Sequence, residues 1–415
     1  MADGRDVAAE EEERPRRPLT RYQQAAIALS SVAMGVGLTV NFVVVAPMAR
    51  EAGLTVLQVA GILTLSTLIY TLMIPVWSRL CDRVGRKRVI VFSLFAMAVA
   101  NATFIIALRA ALTGVATGIS AFLLLAFVRS FFGLLSPGLQ PASMAAMTDA
   151  TTAKTRAAGL GLLSAAMGAG SVLGPASAAL LAQFGALAPI WASVAFSTLC
   201  GLIAIAVLPK DPSRPSSAGA PSPLAVTDRR VVPHIVFLVA YFAAVAMVQQ
   251  TLAFLIQDRY GYAQADAVRG AGVAFALLAI GAIAVQFGVV QRFKPNPLRM
   301  LPVGLALVGA GYAAASVAGP YWQICAFFLI VGAGGALAVP AANAIGSLSV
   351  EPAEQAAAAG LLSAAPPAGF ILGPLAGALL YDVATPLPLV VSAAAMFGLA
   401  AYALIITPRR RIAAS

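Results

Sequence analysis

Long apolar stretches alternate with short polar breaks along almost the whole chain. A helix needs about 20 apolar residues to cross a hydrocarbon layer about 30 Å thick. Because a helix satisfies its own backbone groups where water is absent, the pattern predicts an all-α integral membrane protein with twelve transmembrane helices. The predicted segments are 23–47, 59–80, 89–110, 117–146, 158–182, 188–208, 234–256, 270–291, 298–318, 321–347, 357–380 and 386–407.

One run of 21 residues occurs twice, from Gly161 to Leu181 and from Gly360 to Leu380, with fourteen identities at an offset of 199. Both copies are rich in small residues and contain a Gly-Pro pair, which predicts close helix packing and a bend. The chain is therefore a duplicated half, predicted to form two pseudo-symmetric six-helix bundles. Such a plan is typical of secondary transporters, which hold their substrate near the midplane of the membrane.

A Pro/Ser-rich stretch separates the sixth segment from the seventh and predicts a flexible tether. The resulting organisation has five parts: a cytoplasmic tail 1–22, a six-helix bundle 23–208, a cytoplasmic linker 209–233, a second six-helix bundle 234–407 and a cytoplasmic tail 408–415.

The distribution of charge predicts the orientation. Sixty per cent of the residues are hydrophobic and ten per cent are charged. This composition is more apolar than that of a soluble domain. With both termini inside, 22 of the 27 Lys and Arg lie on the inner side, in the two tails and the inner loops, as the positive-inside rule requires. The net charge of +11 therefore indicates orientation in a cell (inner, cytoplasmic) membrane and not nucleic acid binding, and the N-terminal tail lacks the features of a signal peptide.

Other chemistries have little support in the sequence. The three cysteines are widely spaced and the single histidine, His234, has no neighbouring ligand types. We therefore predict no metal, no cofactor and no disulfide framework. An enzyme is not expected either, because no nucleophile-base pair or metal-ligand spacing is present.

A charged motif lies in the predicted loop Ser78 to Arg88, where an aspartate precedes a glycine and a basic pair. This loop resembles the cytoplasmic signature of the major facilitator superfamily, G-x-x-x-D-x-x-G-R-K/R, through Asp82, Gly85, Arg86 and Lys87. The leading glycine is Ser78 here, which loosens the expected packing. The resemblance implies that the loop latches the two halves in one transport state. Independently, Gly85 permits a tight turn and Asp82 is predicted to hold a helix N-terminus.

Small residues in the fifth segment carry a second resemblance. Gly161, Gly170, Gly174 and Pro175 match G-x8-G-x3-G-P-x2-G-G, an antiporter motif of that superfamily, with Ala178-Ala179 in place of the final glycines. A glycine stripe lets another helix approach closely. The resemblance points to the twelve-helix drug:proton antiporter branch, whose members export substrates in exchange for protons, although small-residue packing alone also explains the stripe.

Arg129 is the only charge predicted within the bilayer, where an arginine is costly unless it faces a polar partner or cavity. With Gly133 it resembles the superfamily's R-x-x-x-G motif, which implies a role in proton coupling. The second half repeats the glycine as Gly332 but has Phe328 in place of the arginine. A structural arginine and a binding site for an anionic substrate remain alternatives.

Proton exchange needs a group that changes protonation, yet all 16 Asp and Glu lie in tails, loops or helix ends. The candidates are Asp149, at the end of the fourth segment, and Asp258, at the end of the seventh, and each is equally an ordinary helix-end charge. At an offset of 208, Asn41 corresponds to Gln249. Amides are predicted to line an otherwise apolar substrate cavity, although each amide is equally explained as an interhelical hydrogen bond. The candidate cavity residues are Asn41, Tyr241, Gln249, Gln250, Gln286 and Asn343.

These patterns predict a secondary active transporter that works by alternating access and exports small amphipathic molecules in exchange for protons. A facilitator or proton symporter for an organic anion is the alternative, and a non-transporting membrane sensor a minor one. The expected partners are a small-molecule substrate, protons and the lipid bilayer, without nucleic acid, and the expected assembly is a monomer.

Overall fold

A computed structural model describes residues 19–152, 155–210, 224–225, 227–293, 295–351 and 354–406. Every regular element in these ranges is helical, and twelve helices are long and apolar enough to span a membrane. The predicted fold class is confirmed. Most of the predicted tails and of the linker lies outside the described residues.

The twelve spanning helices are numbered α1 to α12. Their bounds are α1 Arg21–Glu51, α2 Val56–Val84, α3 Arg86–Leu112, α4 Gly118–Asp149, α5 Arg156–Leu181, α6 Ala188–Val207, α7 Val232–Tyr260, α8 Gln264–Phe293, α9 Pro297–Ser316, α10 Tyr321–Ser347, α11 355–383 and α12 Leu387–Ile406.

Three of these helices have interruptions that the hydrophobic pattern did not predict. α4 consists of Gly118–Leu135 and Leu139–Asp149, and α11 consists of Gln355–Leu362 and Ala365–Val383. α8 contains a π-helical turn over Gln286–Val290. The bend predicted at the repeated Gly-Pro pair falls at a position inside a continuous helix in both copies, since α5 and the second part of α11 continue through Pro175 and Pro374.

The predicted loop between the second and third segments is also different. α2 continues to Val84 and α3 begins at Arg86, so Gly85 is the only residue between them. Its φ of 105° lies in a region that favours glycine. The shape of the turn thus depends on one glycine, whereas Asp82 and Arg86 lie on helices.

Contacts divide the chain into two compact units, Met1–Val44 with Leu68–Ala218, and Val45–Thr67 with Gly219–Ser415. The end of α1 and the start of α2 therefore belong with the second unit. In the first unit a buried core joins all six helices, α1 to α6, and includes Trp77, Ile90, Leu94, Met97 and Phe132. Many large apolar side chains are exposed, among them Leu72, Phe127, Leu180 and Val303, which fits a lipid surrounding.

The same device packs α5 on α1 in the first unit and α11 on α7 in the second. Gly170 lies against the carbonyl oxygen of Val32, and Gly373 against that of Ala243, so close that a Cβ atom at either glycine would collide with backbone. Gly170 and Gly174 correspond to Gly369 and Gly373 at the offset of 199. The duplicated sequence therefore produces duplicated helix contacts.

Candidate functional site

Three of the sequence-predicted residues meet at one end of the first unit. Arg86 Nη1 donates to Asp82 Oδ1 at 3.2 Å, and Arg86 Nε donates to Asp149 Oδ2 at 3.2 Å. We call Asp82, Arg86 and Asp149 the latch cluster. The arginine side chain is only 14% exposed, against 37% and 30% for the two carboxylates. One guanidinium therefore joins α2, α3 and α4.

The sequence brings these groups together through the Gly85 turn. Asp82 lies in the last turn of α2 and Arg86 is the first residue of α3, four positions later. Asp149 is the last residue of α4. The sequence predicted that Asp82 would hold a helix N-terminus, whereas in the structure Asp82 binds the Arg86 side chain. The sharing of that arginine with Asp149 was not predicted from the sequence.

Lys87 has a different role from its neighbour. Its Nζ donates to the carbonyl oxygens of Ile205 at 2.7 Å and of Leu208 at 2.5 Å. The last carbonyl groups of a helix have no partner within it and attract positive charge. Lys87 therefore caps α6 and links its end to the start of α3.

A small cavity adjoins the latch cluster. Its volume is about 30 Å³, which is enough for a water molecule but not for a drug-sized molecule. The residues that line it are Leu19, Ile27, Arg86, Lys87, Ile90, Ala146, Asp149, Leu208 and Pro209. The cavity is lined mostly by apolar surface and has room for a water molecule beside Asp149.

Arg129 is buried, with 4% exposure. Its Nη1 donates to Asn101 Oδ1 on α3 at 3.1 Å. The guanidinium carbon lies 4.4 Å from the ring centre of Phe132 and 5.4 Å from that of Phe104, within the range of cation-π attraction. The intramembrane arginine is thus held between α3 and α4 by an amide and two aromatic rings. No signal in the sequence identified Asn101.

Asp258 forms a second charged cluster, within the second unit. Arg50 donates two hydrogen bonds to its carboxylate, at 2.5 and 3.0 Å. The hydroxyl of Tyr381 donates a third at 2.6 Å. Neither partner of Asp258 was predicted from the sequence, although Arg50 and Asp258 are related by the same offset of 208 that pairs Asn41 with Gln249. That offset was the available signal.

Two members of the helix-five motif pack as its glycine spacing predicted. Gly170 contacts Val32, and Gly174 contacts Thr39 and Val40 of α1. Gly161 differs, because a Cβ atom there would meet no atom within 4 Å. Pro175 follows Gly174 inside the helix. The close contact with α1 therefore depends on the second and third glycines of the motif.

The candidate cavity residues are divided between the units. Asn41 belongs to the first unit and the other five to the second. Asn41 Nδ2 donates to the Gly37 carbonyl at 2.7 Å and Asn343 Nδ2 to that of Val339 at 3.1 Å, so both amides bond to their own helices. Tyr241 is 6% exposed, and Gln286 begins the π-helical turn.

Gln250 has the least satisfied side chain of this group. It is fully buried, and neither its oxygen nor its nitrogen has a hydrogen-bond partner among the described residues. The buried Oδ1 of Asn41 and Oε1 of Gln249 are in the same condition. An unsatisfied buried amide is costly, so each of these groups is suited to bind a polar group of a ligand or a water molecule.

The duplicated halves, twelve spanning helices and charged Gly85 turn together define a membrane transporter. The family model of the Major Facilitator Superfamily matches residues 26–298 and 288–415. The chain belongs to this superfamily, and the predicted family is confirmed. It is a secondary transporter of small molecules and an integral membrane protein, and it is not an enzyme.

Characterised relatives resemble most of the chain. Multidrug resistance protein 1 of Bacillus subtilis is 26% identical over 317 residues, covering 74% of this chain and 77% of the relative. The class G tetracycline resistance protein of Vibrio anguillarum is 28% identical over 380 residues, covering 84% and 87%.

Solved structures support the fold alone, because their sequence identities are low. A bacterial homolog of the human lysosomal transporter Spinster, in an inward-facing and occupied conformation, has a TM-score of 0.68 at 17% identity, covering 94% of this chain and 95% of its own. A nucleoside transporter has a TM-score of 0.71 at 11% identity, covering 93% of this chain and all of its own.

Proposed function

We propose that this protein exports small amphipathic molecules in exchange for protons. The observation that carries the proposal is the contact of Gly170 and Gly174 with α1, because these glycines belong to the motif that resembles the exporters of the superfamily. The names of the two relatives, a multidrug and a tetracycline resistance protein, agree with this function. The substrate is expected to be apolar with a few hydrogen-bonding groups.

The latch cluster provides a physical route for coupling. Arg86 interacts with two carboxylates, so protonation of Asp149 would remove one of its two charged partners and leave the other. The link from α4 to the α2-α3 turn would weaken while the link across the turn remained. Proton binding would thereby change helix packing, which is the requirement for coupling protonation to a conformational change. The adjoining small cavity supports access of water to Asp149.

The unsatisfied amides support a role in substrate recognition. Gln250, Gln249 and Asn41 each carry a buried polar atom without a partner. We expect these atoms to bind the substrate, or water in its absence, when alternating access exposes them. In the second unit, Tyr241, Gln286 and Asn343 would add an aromatic ring and further polar groups to those of Gln249 and Gln250.

Proton movement in liposomes tests the proposal. Purified protein is reconstituted with a pH-sensitive dye inside, and cationic, neutral and anionic compounds are added in turn. Proton flux opposite to a cationic or neutral compound is expected, and Asp149→Asn should transport without that flux. Asp266→Asn, which alters an exposed aspartate at the start of α8, is the matched control.

The same measurement distinguishes the organic-anion alternative. Flux only with anions would contradict drug export and would assign an anionic substrate to Arg129. The contacts of Arg129 with Asn101 and two phenylalanine rings instead support a role in positioning α3 and α4. No specific observation favours a membrane sensor.

Orientation and assembly are part of the proposal. Both termini are expected on the cytoplasmic side of the cell membrane, because that arrangement places most Lys and Arg inside. Cysteines introduced at the exposed Val115 and at Lys210 should react from opposite sides with an impermeant maleimide in cells. A monomer is expected in detergent by light scattering, and a dimer mass would contradict it.

A further inference from the structure

The cluster around Asp258 is built more tightly than an ordinary surface ion pair. The two terminal guanidinium nitrogens of Arg50, Nη1 and Nη2, donate to the two oxygens of one carboxylate, which is the geometry that makes an arginine-carboxylate pair strong and directional. Tyr381 donates to one of these oxygens as well. The side chains of Arg50 and Asp258 are each 35% exposed, so the pair is partly shielded from water.

Aromatic rings pack against the Arg50-Asp258 pair. The Arg50 guanidinium lies 5.1 Å from the ring centre of Phe254, which is fully buried one turn before Asp258 on α7. That ring lies 6.1 Å from the ring of Tyr381. Three helix ends, those of α1, α7 and α11, therefore meet at one carboxylate, and all of these residues belong to the second compact unit.

Arg259, the residue after Asp258, forms its hydrogen bonds with the end of α9. Arg259 donates to the carbonyl oxygens of Ala315 at 3.2 Å and of Ser316 at 2.7 Å, where it caps the end of α9. The guanidinium that Asp258 binds therefore comes from α1 and not from the next residue of its own helix.

The internal duplication of the chain relates Arg50 and Asp258 to each other. At the offset of 208, Arg50 and Asp258 are equivalent positions in the first helix of each half, and Gly53 and Gly261 follow them at equivalent positions with φ values of 79° and 64°. Two identical halves would carry like charges at these positions, which would repel. The halves instead carry opposite charges, and those two residues bind each other.

We propose that Arg50, Asp258 and Tyr381 form a state-dependent clasp at the C-terminal ends of α1 and α7, made when the transport pathway is closed at this end and broken when it is open. This inference rests on the proposed transport function. The clasp determines which side of the cycle is favoured, because a bidentate pair has a well-defined made state and is lost after a small displacement of either helix. A lysine at position 50 would not replace the arginine, since it lacks the planar fork.

Charge reversal and charge exchange test the clasp. Arg50→Asp and Asp258→Arg should each lower the export rate at least tenfold, and the double variant R50D/D258R should recover at least a third of the wild-type rate. Arg109→Asp is the matched control, because Arg109 is an exposed arginine in the last turn of α3, and its rate should stay within a factor of two. Single variants that transport normally, or a double variant no better than either single one, would overturn the proposal.

A measurement without substrate separates failure of the clasp from failure of the proposed function. Ala46 lies one turn before Arg50 on the same face of α1 and is 2% exposed. Ala46→Cys is introduced after Cys81, Cys200 and Cys325 have been replaced by alanine, and maleimide labelling is followed in detergent. Each single reversal should speed labelling at least fivefold and the exchange should return it towards the starting rate. Unchanged labelling in the single variants would contradict the clasp, whatever the protein transports.

Discussion

The charge of Arg129 is stabilised within the membrane because neighbouring side chains bind its guanidinium group. The amide of Asn101 accepts one hydrogen bond and two phenylalanine rings lie within cation-π distance. A hydrogen bond to a charged group contributes about 1.5–3 kcal/mol. The residue thereby fixes α4 against α3, and its effect on transport should depend on that packing.

Replacing Arg129 with lysine tests this role. The ammonium group keeps the charge but loses the planar surface that faces Phe132, so we expect the midpoint of thermal unfolding to fall and transport to drop at least tenfold. Asn101→Ala should lower stability by about 1.5–3 kcal/mol, measured by thermal unfolding in detergent. Full activity and wild-type stability in both variants would show that the contact is incidental.

Single residues were predictable from the sequence only when their chemistry was conspicuous. Arg129 was found because a charge within an apolar segment stands out. Its partner Asn101 was not found, since one amide in a helix carries no signal and its contact depends on how α3 packs against α4. Tyr381 was missed for the same reason.

Helix packing in this molecule depends on where glycine permits backbone contact. Gly170 and Gly174 lie against α1, whereas Gly161 in the same helix faces open space. The sequence motif treats these glycines alike, because spacing alone does not reveal which face of a helix meets a neighbour. The structure therefore separates two packing positions from one that is free to change.

The two kinds of glycine should respond oppositely to alanine. Gly170→Ala would place a methyl group against the Val32 carbonyl, so we expect the midpoint of unfolding to fall by several degrees and transport to be impaired. Gly161→Ala is the matched control in the same helix. It should be neutral or stabilising by about 0.5–1 kcal/mol, the cost of glycine in a helix. Equal behaviour of the two variants would reassign the stripe to coincidence.

Hydropathy predicted the spans well but not their interruptions. The break in α4 falls at Ser136-Pro137-Gly138, and that in α11 falls at Ser363-Ala364, just before two prolines. A long apolar run conceals such a break, although proline cannot donate the backbone hydrogen bond that would continue the helix. The opposite error occurred at Gly85, where polar residues that end α2 and begin α3 suggested a loop.

An ion cluster ties the segment before α7 to the segment before α11. Arg230 donates to both oxygens of Glu354, at 2.8 and 3.0 Å, and also binds Asp228. The hydrogen bonds that Arg230 donates to Asp228 and Glu354 lower the pKa of both carboxyl groups and raise the pKa of Arg230 itself. All three side chains remain partly exposed to solvent, so salt should weaken the cluster.

The lowered pKa values of Asp228 and Glu354 determine how the stability contributed by the Arg230 cluster depends on pH. The stabilisation is fully present above the ordinary carboxyl range of about 3.9–4.3 and is lost as the pH falls through the lowered values. Glu354→Gln should therefore reduce the loss of stability on acidification, measured as the unfolding midpoint between pH 7 and pH 3. The control is Glu51→Gln, an exposed glutamate at the end of α1, which should retain the wild-type acid response.

At the scale of the whole molecule, duplication supplies two similar halves, and asymmetric residues make their roles different. The twelve spans and the repeat were legible in the sequence because both are properties of long segments. The pairings that distinguish the halves could not be read from the sequence, because their residues are far apart along the chain. Arg86 and Asp149 are 63 positions apart, and Arg50 and Asp258 are 208 positions apart. Only an internal alignment followed residue by residue could have suggested the second pair.

The latch cluster should control turnover and coupling separately. Asp82→Asn removes the charge that holds Arg86 across the Gly85 turn, so we expect slower transport with normal membrane insertion and an unchanged ratio of protons to substrate. Asp149→Asn removes the group proposed to carry the proton, so substrate movement should lose its dependence on a pH gradient. Both quantities are measured in the same liposomes, with Asp266→Asn as the control. A coupled Asp149→Asn variant would exclude this carboxylate as the proton carrier, and normal turnover of Asp82→Asn would remove the latch, so the two roles can fail independently.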